Sequence, residues 1–518
     1  MTRAPRLLGR TPCSTALNAR RRARELAALG DRPSVDVVII GGGVTGAGLA
    51  LDAASRGLRT VLVEAHDLAF GTSRWSSKLV HGGLRYLASG QVGIAYESAF
   101  ERHLLMTRIA PHLTRPLAQV MPLYAPGHIA RGAYIGFGYE LGDGLRRMTR
   151  TPGSVLAAPG PLTRSELVRL APAVRREDLR GGVRGWDGQL FDDARLVVAI
   201  ARTAAGYGAS VLTRARAIRA AGDRVVVRDE LGGGELELRA RAVVNATGVW
   251  AGEVDPDVHL RPSRGTHLVV ETARLGWSDV SLTAPLPGSS SRFVFTLPAA
   301  HGRTYIGLTD VPADGPLPDV PQATDDEIDQ LLGVIGTVLA APLTRSDVVA
   351  TFAGLRPLLT GPSHGDETSD LSRRHAIVES GSGLLSVVGG KLTTYRRMAQ
   401  DGIDAVAARL RDVPASQTHS LPLVGAWPRE RLDEVAASPR LVRRYGAEAP
   451  FAAGLPDGPG AARGVTAQEL QWGVEVEGAL TVDDLLDRRT RLGLVVADRE
   501  ASTDAAASAF ERAGVGPA

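Results

Sequence analysis

At 518 residues, 44% hydrophobic and 22% charged, the chain can bury the cores of two or three domains and is too apolar for a disordered tail. A net charge of +4, with no basic run beyond the short ARRRAR near the start, gives no ground for a nucleic-acid partner, and a single cysteine, Cys13, excludes a disulfide framework or Cys-rich metal site. No stretch approaches the roughly 18 unbroken apolar residues of a spanning helix, and the Arg-rich start lacks the apolar segment of a secretory signal.

Residues 1–33 read as an extension: a surface helix over ALNARRRARELAAL, with a transit-like presequence as the alternative. VDVVIIGGGVTGAGLALDAASRGLRTVLVEA follows. Its β-branched run to Ile40 ends directly in glycine, as a buried parallel strand does. Gly41, Gly43 and Gly46 fit G-x-G-x-x-G, in which the glycines make the turn, admit a pyrophosphate and let helix pack on strand. The helix that opens there turns its unpaired N–H groups and positive end toward phosphate. A second strand, 59–63, ends in Glu64, placed to accept hydrogen bonds from a ribose diol. These features predict a dinucleotide site without choosing between NAD and FAD.

GTSRWSSKLVHGGLRYL, residues 71–87, holds Lys78, one of only two lysines among 60 basic residues; the other is Lys391 in SVVGGKLTTYR. An ammonium is a compact, titratable charge and a guanidinium a wide permanent fork, so a site needing the first is not served by the second. Thr72, Ser73, Ser76 and Ser77 surround Lys78 with short hydroxyl donors. Further on, GHIARGAYIGFGYELGDGLRRMTR sets Phe137, Leu141, Leu145 and Met148 at helical spacing with Arg131, Arg146, Arg147 and Arg150 nearby. Two readings stand: the helix lies in a membrane interface, or it packs on the protein's own sheet. Asp192 and Asp193 read as caps of the helix beginning DDARLVV, and no metal is expected.

A meander, RVVVRDELGGGELELRAR, leads to a strand closing on Ala246-Thr247-Gly248, and GLLSVVGGKLTTYR makes a second strand–glycine–helix junction. A nicotinamide domain has no need of these distant returns; a flavin protein, whose cofactor lies extended, does. RGTHLVVET, SRFVFTLP and TYIGLTDV read as a mostly antiparallel sheet. After SLPLVGAWP only helical patterns remain, with Asp487 and its arginines read as a structural ion network.

In order, DVVIIGGGVTGAG, GTSRWSSKLVHGGLRYL, GQLFDDARL, VVNATGVWA, RGTHLVV, YIGLTDV, AGLRPLL, VVGGKLTTYR and DLLDRRTRLGL resemble the FAD-dependent glycerol-3-phosphate dehydrogenases of the aerobic bacterial type. The resemblance implies an α/β fold: a Rossmann-like FAD-binding domain (34–110, 187–252 and 353–410), an interleaved substrate domain with a mixed or antiparallel sheet (111–186 and 253–352), and a C-terminal helical domain (411–518). It implies oxidation of glycerol 3-phosphate to dihydroxyacetone phosphate by hydride transfer to FAD. A membrane quinone would take the electrons from a cytoplasmic protein in peripheral contact with the membrane, and a homodimer is compatible. Cofactor binding falls on Gly41, Gly43, Gly46, Glu64, Thr72, Ser73, Ser77, Lys78, His81, Gly82, Ala246, Thr247, Gly248, Gly390 and Leu392. Arg85, Tyr86 and Arg373 would hold substrate. His267 is expected as the base, Arg356 as phosphate partner or charge stabiliser, and Lys391 as a cation against negative charge on the reduced flavin. A buried structural role for His267 stands as the alternative. The rival activities are a glycerol-3-phosphate oxidase using oxygen, an amine-oxidising flavoenzyme of the same fold, and a silent dinucleotide-binding protein.

Overall fold

The computed structural model describes residues 15–83, 86–87, 90–289, 292–307, 309–359 and 375–518. The opening strand, Ser34–Ile40, lies at the centre of the first sheet, with the parallel strands Glu235–Asn245 on one side and Thr60–Val63 on the other. Ser210–Leu212 and Leu385–Gly389 extend the parallel array, and His375–Glu379 closes one edge in antiparallel pairing. Ile40 pairs with both Asn245 and Val63. That register brings Gly41, Glu64 and Ala246 to one level at the carboxyl edge, where α/β sheets bind ligands. The helix Val44–Ser55 packs against Tyr395–Ala407 and Asp193–Gly206. Gly46 makes the tight start possible, because a Cβ there would overlap the carbonyl oxygen of Gly41.

The second sheet has ten strands and is mixed: Thr114–Tyr124 runs parallel to Ser281–Pro285, while its other ladders are antiparallel. One of its two longest pairings joins Leu260–Glu271 to Val348–Leu359, setting Ser263 opposite Arg356 and His267 opposite Phe352. Between them, Gly265 faces Gly354. A Cβ on Gly354 would press on the Cβ and carbonyl of Trp75, so this glycine lets the 71–78 turn sit directly on the sheet. The α/β class, the mixed second sheet and the helical C-terminal region accord with the sequence reading. The sheets do not change where the domain bounds were placed. Strands Leu179–Leu190 and Val348–Leu359 run through residues 187 and 353, and Leu79–Val80 belongs to the second sheet.

Beyond residue 410 no strand occurs among the described residues. Helices Ala467–Glu475 and Thr503–Arg512 and a wide-turn (π) segment, Asp484–Thr490, enclose a core around Leu485, Leu486 and Phe510. This region docks through charge. Asp67, fully buried just past Glu64, accepts from Arg488 Nε at 2.6 Å and from both terminal nitrogens of Arg489 at 2.9 Å. Asp487 joins this network at its partly exposed edge, pairing with Arg499, with Arg74 at 3.5 Å and with Arg488 at 3.6 Å. The helix Ala19–Asp31 in the N-terminal extension is capped by Asn18 and tied to the body by Arg22, which donates to the Thr213 and Arg214 carbonyls.

Candidate active site

The carboxyl edge of the first sheet and the face of the second enclose one cavity of about 1050 Å³, beyond the roughly 300–1,000 Å³ typical of small-ligand sites. At one end Gly41, Gly43, Val44 and Thr45 form the turn and helix start. Ser73 braces them, its hydroxyl accepting from Val44 N at 2.9 Å. Glu64 lines the same end and accepts from the backbone N–H groups of Gly42 and His66. Burial raises its pKa against the pull of those two bonds. Ala246, Thr247 and Gly248 continue the wall, and Gly389, Gly390, Lys391 and Leu392 close it from the second junction. A turn too tight for side chains, a helix N-terminus free of acidic residues and an acid closing the second strand on the same cavity wall fit an extended dinucleotide such as FAD.

Chemistry-bearing side chains line the same cavity. Lys391 Nζ sits 3.7 Å from the centre of the Tyr86 ring and donates to Ser98 Oγ at 3.0 Å. Arg356 donates to Ser263 Oγ and Asp310 Oδ1, each at 3.1 Å, and to the Thr309 carbonyl at 3.0 Å, which fixes its fork. His81 lines the cavity with its side chain half exposed, and its Nδ1 lies 2.9 Å from Asp187 Oδ2. Burial alone would raise the Asp187 carboxyl; the Arg102 guanidinium at 2.7 Å and the bond to His81 outweigh it and hold the carboxylate ionised. An ionised acid on Nδ1 accepts that nitrogen's proton, leaving Nε2 as the basic nitrogen.

Several expected positions differ. His267 is completely buried, its ring stacked on Phe352 at 4.6 Å and filling the space above Gly307. It meets the cavity only through Ser77 Oγ, 2.9 Å from Nε2. Burial, then the charges of Lys78 and Arg356, push its pKa well down. The ring thus stands behind the cavity wall, and its position favours the structural alternative. Lys78 also turns away from the cavity: its ammonium donates to the Arg74 and Ser76 carbonyls and to Asp193 Oδ2 at 3.2, 2.9 and 3.1 Å. Gly82 is absent from the lining; its N–H donates to Asp187, and Arg102 fills the space where a Cβ would stand. Thr72 lines the wall while donating to the Leu355 carbonyl at 2.6 Å. Arg85 and Arg373 lie outside the described residues.

Three oxygens on three sides suit a tetrahedral ammonium and not a planar guanidinium, which accounts for lysine at position 78. Its backbone is also held at φ 57°. Burial lowers the Lys78 pKa to about 8 against the pull of Asp193. Lys78→Arg overfills this pocket, and a loss of about 1–3 kcal/mol is expected in denaturant unfolding of the flavin-loaded protein; an unchanged midpoint would contradict the fit.

Sequence reasoning missed Asp187 and Ser98. It also missed that Tyr134, Phe137 and Leu141 of the helix His128–Met148 line the cavity. The helical spacing of that segment was legible; its place beside the cavity was not. Asp192 acts as the expected cap, accepting from Ala194 N, while Asp193 serves Ser76 and Lys78 as well.

This arrangement is that of a flavin-dependent oxidoreductase. The pattern of the family described as FAD dependent oxidoreductase matches residues 36–396; the chain belongs to that family, and FAD is its cofactor. More particularly, it is 51% identical to Glycerol-3-phosphate dehydrogenase 1 of Mycobacterium tuberculosis, over 94% of this chain and 97% of that one. Identity to Glycerol-3-phosphate dehydrogenase of Mycobacterium leprae is 41%, over 89% of this chain and 81% of that one. The solved glycerol-3-phosphate dehydrogenase of Bacillus halodurans, complexed with FAD, aligns with a TM-score of 0.73 at 29% identity, covering 96% of this chain and 94% of that one. No described helix is long and apolar enough to cross a membrane.

Proposed function

We propose that the protein oxidises sn-glycerol 3-phosphate to dihydroxyacetone phosphate and delivers the electrons to a membrane quinone. One observation carries the reading: the glycine turn, Lys391, Arg356 and the His81–Asp187 pair line a single cavity in a chain half identical to a glycerol-3-phosphate dehydrogenase. FAD, when bound, supplies the acceptor for the two electrons that leave with the C2 hydrogen. Arg356, braced by Asp310 and Thr309, offers charge to the phosphate, a role Arg85, Tyr86 and Arg373 would share. His81 Nε2 takes the C2 hydroxyl proton, and Asp187 stabilises the imidazolium that results. Lys391 places a fixed positive charge at the second glycine junction, where it stabilises negative charge as reduction proceeds. Relatives that are dehydrogenases favour an acceptor other than oxygen, and the apolar rim supplied by Tyr134, Phe137 and Leu141 suits a quinone.

Anaerobic addition of glycerol 3-phosphate is expected to bleach the purified yellow protein within its turnover time, and a short-chain quinone to restore the colour. No bleaching would sink the substrate assignment. Reoxidation by oxygen at a rate equal to or above that with quinone would replace the acceptor with oxygen.

A further inference from the structure

The helix Val92–Leu104 buries three polar side chains beside its apolar ones. Ser98, Glu101 and Arg102, set one helical turn apart, share a face. Glutamate and arginine are buried at high cost unless they are paired, and each of the three has a partner in the site or its frame. Arg102 donates to Asp187 Oδ1 at 2.7 Å, and Asp187 holds His81. Glu101 accepts from Arg396 Nε at 2.8 Å, on the helix that opens just past Lys391. Ser98 Oγ accepts from Lys391 Nζ at 3.0 Å. Gly83, whose Cβ would press on Ala95 and on the Cβ of Ser98, lets the turn after His81 lie directly on this helix.

Two glycines at positive φ, Gly389 and Gly390, precede Lys391 and carry no side chain to pack against it. A lysine stem is long and flexible, so its charge stands in one place only where contacts hold it. Ser98 and the face of the Tyr86 ring are such contacts. The neighbouring Arg102 and Arg396 are answered by the carboxylates of Asp187 and Glu101, whereas Ser98 offers Lys391 a hydroxyl. A carboxylate cancels the charge it binds; a neutral oxygen orients an ammonium and leaves its charge to act elsewhere. We propose that Ser98 is a positioning residue: it holds the Lys391 ammonium at the cavity wall, so that the charge is already in place when the flavin is reduced. The inference rests on the reading of Lys391 as the cation that stabilises reduced flavin.

The two-electron midpoint potential of the FAD-loaded protein, measured anaerobically against a reference dye, tests this. Ser98→Ala keeps the helix and its packing on Gly83, so FAD content should match the wild type. It should shift the flavin equilibrium about tenfold toward the oxidised form (about 30 mV lower for a two-electron couple). Lys391→Met should shift it about a hundredfold (about 60 mV). Ala95→Gly loosens the same helix one turn earlier and removes no bond to the ammonium. It should lower the unfolding temperature and leave the potential unchanged. A wild-type potential in Ser98→Ala, beside a lowered one in Lys391→Met, would overturn the role of Ser98 and leave that of Lys391 standing. Equal shifts in Ser98→Ala and Ala95→Gly would overturn it too, because loosening of the helix would then account for both. An unchanged potential in Lys391→Met would remove the reading of Lys391 and this inference with it.

Discussion

His81→Asn is expected to slow anaerobic flavin reduction by glycerol 3-phosphate by about 10²–10⁴-fold while leaving FAD content unchanged. Asparagine can still reach Asp187, so Arg102 and the buried carboxylate keep a partner and the strand Leu179–Leu190 stays in place. What disappears is the ring nitrogen that receives the hydroxyl proton. His267→Asn is the paired measurement. With its ring behind Ser77 and stacked on Phe352, its loss should show mainly as lower stability, with flavin reduction falling less than tenfold. Rapid-mixing absorbance on both variants decides between them. Near-normal reduction in His81→Asn with collapse in His267→Asn would return the proton to the buried histidine, relayed by Ser77.

Asp67→Asn should cost about 3–5 kcal/mol, because it leaves Arg488 and Arg489 buried without their anion. The carboxylate stands three residues past Glu64, so the loss is felt between the C-terminal helices and the dinucleotide end of the cavity. Limited proteolysis should release the C-terminal region earlier, and thermal unfolding should come several degrees lower. Asp487→Asn, at the edge of the network and partly exposed, should change stability by less than about 1 kcal/mol. Equal effects of the two would refute the hierarchy. The same pair sets an acid limit. Burial opposes ionisation of Asp67, but the charges of Arg489 and Arg488 prevail and hold its pKa at about 2, below the ordinary 3.8. The folded state thus binds this proton less readily than the unfolded chain. The contribution is complete above the ordinary value and is lost as pH falls from about 4 toward about 2. Asp67→Asn should flatten that part of the stability–pH curve.

Local chemistry determined what local chemistry can. A β-branched run ending in spaced glycines, and a second run ending in Glu64, specify strand, turn and helix through backbone sterics within some thirty residues, and the first sheet is built around them. The helical spacing of residues 128–148 was likewise plain, as was the cap at Asp192. Tertiary structure decided what depends on partners far apart in the chain. Asp187 meets His81 across 106 positions, and no periodicity in either segment encodes that meeting. His267 carries the same side chain on an apolar strand whether it lines a cavity or lies behind Phe352; only the register with Val348–Leu359 puts it behind. Lys78 looked like a cofactor cation because its neighbours are hydroxyls, yet a left-handed backbone at that residue sends the ammonium to Asp193. Side-chain identity fixes what a group can do, and long-range packing fixes what it faces.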